Sequence, residues 1–277
     1  MIYVAGSPFE PDSSWNSDKV FNDIIDSLEK APFFYSFPTE KELLFEINIR
    51  KNTIESSIKM DEGESVFATF KNARCNPEYW NLTQAGGFLL KPEVKPSDAV
   101  DDIFENSGLY SFECATSCVI IFYHAVLKTI GSDSFDYIFQ NLYLYSWNTD
   151  YDLGLHSIFT DHYIPGDVVY FNNPDVDPET SWFRGVNAVA LKNNLFFGHG
   201  FSIRTEKKMV EGLNKYRTSD SKQSAYLTSL ITRPSYNQLA GFFNPHRWNF
   251  YKPSPIIVHH NKDSISFRQY LSELGYE

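Results

Sequence analysis

Two cysteines stand near the start of a long apolar stretch, GLYSFECATSCVIIFYHAVLKTIG. Ser111 is a suitable N-cap and Gly131 a suitable C-terminal glycine, so the stretch predicts a helix over residues 111–130 with Cys114 in its first turn. The free N–H groups there and the positive end of the helix dipole stabilise a thiolate. The same N–H groups can hold the oxyanion of a tetrahedral intermediate, so this position suits a cysteine nucleophile for acyl transfer.

A second interpretation of Cys114 is a small buried hydrophobic side chain. The predicted helix is apolar on nearly every side, which is the pattern of a helix in the middle of a domain. Spacing alone favours this buried interpretation. Cys118 lies one turn deeper in the apolar run, and we expect it to belong to the core.

A cysteine nucleophile for acyl transfer needs a proton acceptor nearby, and two residues are candidates. Glu113 is adjacent in sequence, although neighbours on a helix point about 100° apart. His199, in FFGHGFSI, falls on a predicted strand, and a helix-borne cysteine facing a strand-borne histidine is the arrangement of papain-like enzymes. His124 falls in the apolar part of the helix, where we expect a hydrogen-bonded structural residue.

Composition limits the class of protein. The 277 residues are 42% hydrophobic, 21% charged and 17% aromatic. This composition is typical of a globular protein, except that aromatic side chains are more frequent than usual. The net charge of −11 argues against nucleic acid as a partner. Three cysteines are too few for a disulfide framework and indicate a reducing compartment. We expect no signal peptide and no membrane span.

The periodicity changes along the chain from helical to strand-like. Helices are predicted in SDKVFNDIIDSLEKAP, in the segment that Thr39 and Glu42 open as a capping box, in PSDAVDDIFENSG, in DSFDYIFQNL and in TEKKMVEGLNKYR. GDVVYFNN, NAVALKN and LFFGHGFSI predict strands of an antiparallel sheet. We therefore predict one α+β domain over residues 1–277, with a papain-like core in which the cysteine-bearing helix packs on the sheet.

The two ends of the chain differ from this core. Residues 1–38 are predicted to form a helical lead-in. Residues 234–277 contain several prolines and show no clear period, so we expect this tail to wrap the surface or to be partly mobile.

Two polar segments were considered as metal sites. HSIFTDH has no spacing that brings its two histidines and its aspartate together. NNPDVDPET lacks the glycine and the final glutamate of an EF-hand loop, and its prolines indicate a rigid turn. We therefore predict no metal site, and no phosphate-binding or dinucleotide-binding fingerprint is present either.

Several collinear segments resemble one known family. YSFECATSCVIIFYHAVL, IPGDVVYFNNPDVDPETSWFRG and LFFGHGFSI are similar to the small protein-glutamine γ-glutamyltransferases (transglutaminases) of spore-forming bacilli. The resemblance runs from about residue 42 to residue 233, with CNPEYWN in step, and it fades at both ends. It implies calcium-independent, cofactor-free formation of isopeptide bonds between protein glutamine and lysine side chains, with release of ammonia, and a place in the sporulating cell and spore coat.

The resemblance also implies roles for individual residues. Cys114 corresponds to the nucleophile, Glu113 to a glutamate that takes part in catalysis, and His199 to the histidine of the family's HG dipeptide. The aromatic positions that flank the cysteine correspond to Trp147 and Trp182. We expect them, together with Phe67, to form the walls of a substrate cleft that hinders water and admits an alkylamine.

One position departs from the family pattern. A second glutamate is usual in a W-x-G-E-N stretch, and SWFRGVN carries Val186 there. The same alignment appears against papain-like cell-wall peptidases, where the residue at Val186 is the proton acceptor. Valine accepts no proton. Either Glu113 is the sole base, or the chain is an inactivated form that keeps substrate binding, or His199 or Asn187 has rearranged to assist.

Two rival functions stay open from sequence. A cysteine peptidase or amidase, including a glutamine deamidase, would use a Cys–His pair on the same core. A catalytically impaired coat or scaffold protein would use the cleft only to bind glutamine-bearing partners. Val186 and Asn187 belong to the predicted substrate-binding residues, and Val186 is the feature that favours the scaffold.

Overall fold

The computed structural model describes residues 1–11, 15, 19–242, 256–257, 259–260 and 264–276. Its helices are α1 (Lys19–Glu29), α2 (Glu40–Glu62), α3 (Pro96–Glu105), α4 (Cys114–Ile130), α5 (Ser132–Ile138), α6 (Glu206–Leu213), α7 (Tyr236–Gly241) and α8 (Phe267–Glu273). Its strands are β1 (Ile2–Val4), β2 (Ser7–Pro8), β3 (Tyr35–Phe37), β4 (Val66–Phe67), β5 (Trp80–Leu82), β6 (Phe88–Leu90), β7 (Ser111–Phe112), β8 (Tyr143–Leu144), β9 (His156–Phe159), β10 (Val168–Asn172), β11 (Gly185–Ala190), β12 (Leu195–Gly198), β13 (Ser202–Thr205) and β14 (Tyr226–Arg233).

The central element is α4. Every residue from Cys114 to Leu127 is buried, as the apolar pattern predicts for a helix covered on all sides. Helices α2, α3 and α5 pack against it on one side and β11 on the other. The helix ends at Gly131, whose φ of +79° suits glycine.

The main sheet has six strands in the order β13-β12-β11-β10-β14-β9, and all neighbours are antiparallel. Side chains alternate across β11, so Val186 and Ala188 join one buried cluster with Cys114, whereas Val189 joins the larger core that contains Cys118. The predicted α+β class, with a buried cysteine-bearing helix against an antiparallel sheet, is confirmed. Among the described residues, no helix is long and apolar enough to cross a membrane.

Two local predictions differ from the structure. Ser111 is not the N-cap of α4, because it lies in β7, and Glu113 is the N-cap instead. LFFGHGFSI is not one strand, because a turn at Gly200, with φ +87°, divides it into β12 and β13. The small sheets β2-β1-β3 and β5-β6-β8 were not predicted, since their strands of two or three residues are too short to show a period.

The described part of the carboxy-terminal tail does not lie on the surface as expected. Ser264, Ile265, Phe267 and Tyr270 are buried, and the segment runs over the start of α4. The expectation of a surface or mobile tail also concerns residues 243–255, 258, 261–263 and 277, which lie outside the described residues. The amino-terminal lead-in holds β1, β2 and β3 besides α1.

A buried ionic cluster connects α2 to the sheet. Arg50 donates to Glu46 and to Asp167, both at 2.8 Å, and Arg233 donates to the other oxygen of Asp167 at 2.6 Å. That oxygen also accepts the backbone N–H of Ile164 at 2.8 Å. Removing one member of such a cluster leaves an uncompensated charge in a low-dielectric interior, which is far more costly than breaking a surface ion pair.

We expect Asp167→Ala to lower the free energy of unfolding by about 3–5 kcal/mol, because it strands two buried guanidinium groups. Urea denaturation at neutral pH measures this loss. Asp161→Ala, which removes an exposed carboxylate from the same loop, should change stability by less than about 0.5 kcal/mol. A loss below about 1 kcal/mol in Asp167→Ala would show that the cluster does not hold α2 to the sheet.

Candidate active site

Glu113 closes the amino-terminal end of α4. Its carboxylate accepts the backbone N–H of Ala115 at 2.7 Å and the backbone N–H and hydroxyl of Thr116 at 2.6 and 2.9 Å. The side chain is 1% exposed, so a negative charge sits in the interior at the positive end of the helix. These two N–H groups, which were expected to hold an oxyanion, are therefore occupied by the chain itself.

Cys114 follows as the first residue of the helix rather than the third. Its thiol donates to the Ser264 hydroxyl at 3.4 Å, and its sulfur accepts from the Asn187 amide nitrogen at 3.6 Å. Burial, and then the charge of Glu113, raise the pKa of Cys114 to about 12 against the opposing effect of these hydrogen bonds. The thiol is 1% exposed and protonated at neutral pH in this conformation.

Asn187 and Val186 approach the cysteine from β11. Tyr170 of β10 pairs with Asn187, and Phe171 pairs with Val186, so the two β11 side chains leave on opposite faces of the sheet. Val186 still belongs to the apolar cluster that contains Cys114. Val186 is thus buried, and its side chain supplies no proton acceptor.

His199 lies in the turn after β12 and not on a strand. Its ring stacks on Phe112 with 4.6 Å between centroids. Burial lowers the pKa of His199 to about 4, and a backbone hydrogen bond with Val66 opposes the shift. Its Nε2 has no hydrogen-bond partner within the described part of the chain, so no hydrogen bond joins this ring to Cys114.

The predicted aromatic walls separate into two groups. Trp147 is buried, donates its indole N–H to the Ile265 carbonyl at 2.8 Å and meets the Phe267 ring edge-on at 5.6 Å. Phe67 and Trp182 are half-buried and do not touch that group in any ring pair that the described residues form.

Phe183 joins the second aromatic group and was missed from sequence. Its ring lies 6.1 Å from those of Phe67 and Trp182 and stacks on Tyr216 at 3.6 Å. The signal was available, because Phe183 directly follows Trp182 in the segment SWFRG. Half-buried aromatic rings suit a substrate-binding surface.

Two other α4 residues are structural. Cys118 lies in the main core, and burial raises its pKa well above the ordinary value. His124 hydrogen-bonds the Ser56 hydroxyl at 2.7 Å and stacks on Phe104 at 3.9 Å. Both positions match what the apolar pattern predicts for them.

The acidic segment around Asp175 has a structural use. Asp175 accepts the Ser221 hydroxyl and the Gln223 N–H at 3.0 and 3.2 Å, and Asp177 accepts the N–H of Glu179 to begin a 3₁₀ turn. Across the ranges that the structure describes, no three histidine, cysteine or acidic side chains are grouped so as to hold a metal ion.

Known proteins were compared with the chain. A family model described as "Protein-glutamine gamma-glutamyltransferase" matches residues 1–243. A protein of that name from Halalkalibacterium halodurans is 47% identical over 98% of this chain and 95% of its own length. Another from Bacillus mycoides is 42% identical over 76% of each.

A solved structure is also similar. It is a transglutaminase from Geobacillus stearothermophilus without its C-terminal extension, and it superposes with a TM-score of 0.72 at 44% identity. The superposition covers 74% of this chain and 98% of that one.

The buried His199 ring should make stability depend on pH. The pKa of His199 is about 4 in the folded chain and about 6.5 in the unfolded chain. Below pH 6.5 the unfolded chain therefore binds a proton that the folded chain does not bind. Stability attributable to this ring is complete above pH 6.5 and should fall by an amount on the order of 3 kcal/mol by pH 4.

Urea unfolding of the wild type and of His199→Gln between pH 8 and pH 4 measures this effect. The wild type should lose stability relative to the variant only below pH 6.5, and the difference between the two proteins should be constant above pH 7. Parallel curves over the whole range would show that the ring is not held neutral in the folded state.

Proposed function

Since this chain belongs to the protein-glutamine gamma-glutamyltransferase family, it is an acyltransferase, and we propose that it joins glutamine and lysine side chains of proteins through a thioester on Cys114. The observation that carries the proposal is a buried cysteine at the start of the central helix, beside a carboxylate and an amide donor, inside the region that matches the family. The reaction proposed needs no calcium and no cofactor.

In the first half-reaction, the Cys114 sulfur attacks the γ-carboxamide carbon of a protein glutamine. A sulfur–carbon bond forms, the carbon–nitrogen bond breaks and ammonia leaves. The thiol proton passes through the Glu113 carboxylate to the departing nitrogen. Transfer through a positioned carboxylate is a general acid–base step that contributes about 10²- to 10⁴-fold.

In the second half-reaction, a lysine amine attacks the thioester carbon. The carbon–sulfur bond breaks, an isopeptide bond forms, and the amine proton returns to the sulfur through Glu113. Water gives deamidation instead. The aromatic group of Phe67, Trp182 and Phe183 supports a channel that favours a slender alkylamine over bulk water.

Glu113 is the better supported of the two acceptors that the sequence offers. It is adjacent to Cys114, and its negative charge acts on the thiol strongly enough to raise its pKa. His199 is less well supported, because its ring lies against Phe112 and burial lowers its pKa to about 4, which makes it a weak proton acceptor. We assign His199 to shaping the turn beside Phe67 and not to proton transfer.

The same observations bear on the two rival functions. A papain-like peptidase or amidase needs a Cys–His ion pair, and the position of His199 gives that reading little support. A scaffold with an inactive cysteine gains support from Val186. Valine accepts no proton, so Glu113 is the one acidic residue that the proposed mechanism can use beside Cys114. A place in the spore coat rests on the family resemblance and on the bacilli from which relatives come.

The proposal predicts that amine incorporation depends on Cys114 and Glu113. Incubation of the protein with a glutamine-rich protein and a labelled primary amine should give labelling that Cys114→Ala abolishes. Glu113→Gln should reduce it about 10²- to 10⁴-fold, because the amide cannot carry the proton. The exposed Glu211→Gln is the matched control and should label normally. Labelling that persists in Cys114→Ala, or cleavage of the substrate chain, would refute the transferase mechanism.

A second acceptor should raise the rate. Val186→Glu places a carboxylate in the cluster that contains Cys114, and a buried carboxylate near a thiol is best stabilised by taking its proton. We expect amine incorporation to rise about tenfold or more. Val186→Gln has nearly the same shape as Val186→Glu but carries no base, so its amine incorporation should not rise. Equal rates in the two variants would mean that position 186 acts through packing alone.

A further inference from the structure

The tail places one of its own carbonyl groups beside the nucleophile. The Ile265 oxygen accepts the Trp147 indole N–H at 2.8 Å and the Asn187 side-chain N–H at 3.0 Å. The Asn187 nitrogen also lies 3.6 Å from the Cys114 sulfur. Two fixed donors that converge on one oxygen next to a thiol form the arrangement that a developing oxyanion requires.

Two helix amides that could otherwise form such a site are already occupied. The N–H groups of Ala115 and Thr116 are hydrogen-bonded to the Glu113 carboxylate, so they cannot bind a substrate oxygen as well. Trp147 and Asn187 come instead from the turn after β8 and from β11, which pack on α4. Both side chains are buried, so their donors are desolvated and strong.

A residue with a strained backbone precedes each partner of the hydrogen bond between Trp147 and Ile265. Ser146 precedes Trp147 with φ +50°, and Ser264 precedes Ile265 with φ +48°. Left-handed serines cost on the order of 1 kcal/mol each and persist where the surroundings over-determine them. One strained residue presents the indole donor, and the other presents the carbonyl that it binds.

Further hydrogen bonds hold the tail against β10 and the turn after β8. The Tyr170 hydroxyl donates to the Ser264 carbonyl at 3.0 Å, and the Tyr145 hydroxyl donates to the His260 carbonyl. His260 is hydrogen-bonded to the Ser146 hydroxyl at 3.0 Å. Phe267 then meets the Trp147 ring edge-on, with 5.6 Å between the centroids. With the tail in this position, no glutamine side chain can reach the Cys114 sulfur.

We propose that the Ile265 oxygen marks the binding position of the acyl-donor carboxamide oxygen, held by Trp147 and Asn187, and that the tail occupies this position as an internal pseudosubstrate. The inference rests on the proposed function for the identity of the donor. Residues 264–267 must leave before a glutamine binds. The tail therefore slows acylation of the folded chain, and the same two donors stabilise the oxyanion each time the tail leaves.

Alkylation of Cys114 by iodoacetamide tests the occupancy, because this reagent carries a primary carboxamide and needs an exposed thiol. Mass spectrometry separates Cys114 from Cys75 and Cys118. Ser264→Pro should release the tail, since proline cannot adopt the φ of +48°, and should speed alkylation about tenfold or more. Ser264→Gly is the matched control, because it loses the same hydroxyl but accepts that φ, and it should be alkylated about tenfold or more slowly than Ser264→Pro.

Phe267→Ala gives a second route if Ser264→Pro folds poorly. It removes only the ring that packs on Trp147 and should also speed alkylation, whereas Tyr276→Ala removes an exposed ring of the same tail and should not. Rapid alkylation in the wild type, or equal rates in Ser264→Pro, Phe267→Ala and the controls, would overturn the occupancy.

Acylation of Cys114 by p-nitrophenyl acetate in the Ser264→Pro background tests the two donors. Trp147→Phe and Asn187→Ala should each slow acylation about 10²- to 10³-fold, because a tetrahedral oxyanion forms. Trp147→Phe should not slow alkylation by iodoacetamide, in which no oxyanion forms, and Asn187→Ala should slow it far less than it slows acylation, because there it loses only its hydrogen bond to the sulfur. Unchanged acylation would overturn the assignment of the donors. Intact acylation without any amine incorporation would refute the proposed function and leave the donor site supported.

Discussion

The contact between the Glu113 carboxylate and the first turn of α4 governs the rest of the site. This helix is buried on every side, so its leading N–H groups cannot be satisfied by water. A carboxylate satisfies two of them and neutralises the positive end of the dipole. The arrangement fixes Cys114 at the first position of the helix. It also keeps a negative charge beside the thiol, which holds its proton more tightly.

The contact between Glu113 and the helix amides changes which groups can stabilise the oxyanion of an acyl transfer. Because the Ala115 and Thr116 amides are occupied, we assign the stabilisation of a developing negative charge to donors from the sheet and from the turn that carries Trp147. Asn187 and the Trp147 indole reach the same oxygen from these two elements. The order of the sheet makes this possible, because β11 lies in its interior against α4, and Tyr170 on the neighbouring strand reaches the same tail segment.

Elements with a strong local period could be predicted from sequence. The apolar run of α4, the Thr39 and Thr205 caps, and the strands around Val168 and Val189 follow from side-chain periodicity and hydrogen-bonding chemistry. The N-cap at Glu113 was missed, because glutamate is not among the preferred capping residues and its fit depends on burial. The break at Gly200 was missed, because the aromatic and aliphatic residues on both sides of Gly198–Gly200 favour one continuous strand.

The sequence by itself determined the fold class, the buried helix that carries Cys114, the family to which the motifs belong and the loss of an acceptor at Val186. These depend on residue types and short-range spacing. Only the tertiary structure decided that the helix amides are already occupied, that His199 stacks on Phe112, and that the tail carbonyl of Ile265 fills the space beside the thiol. Those contacts join residues distant along the chain, and a tail without a period gives no local signal of where it will pack.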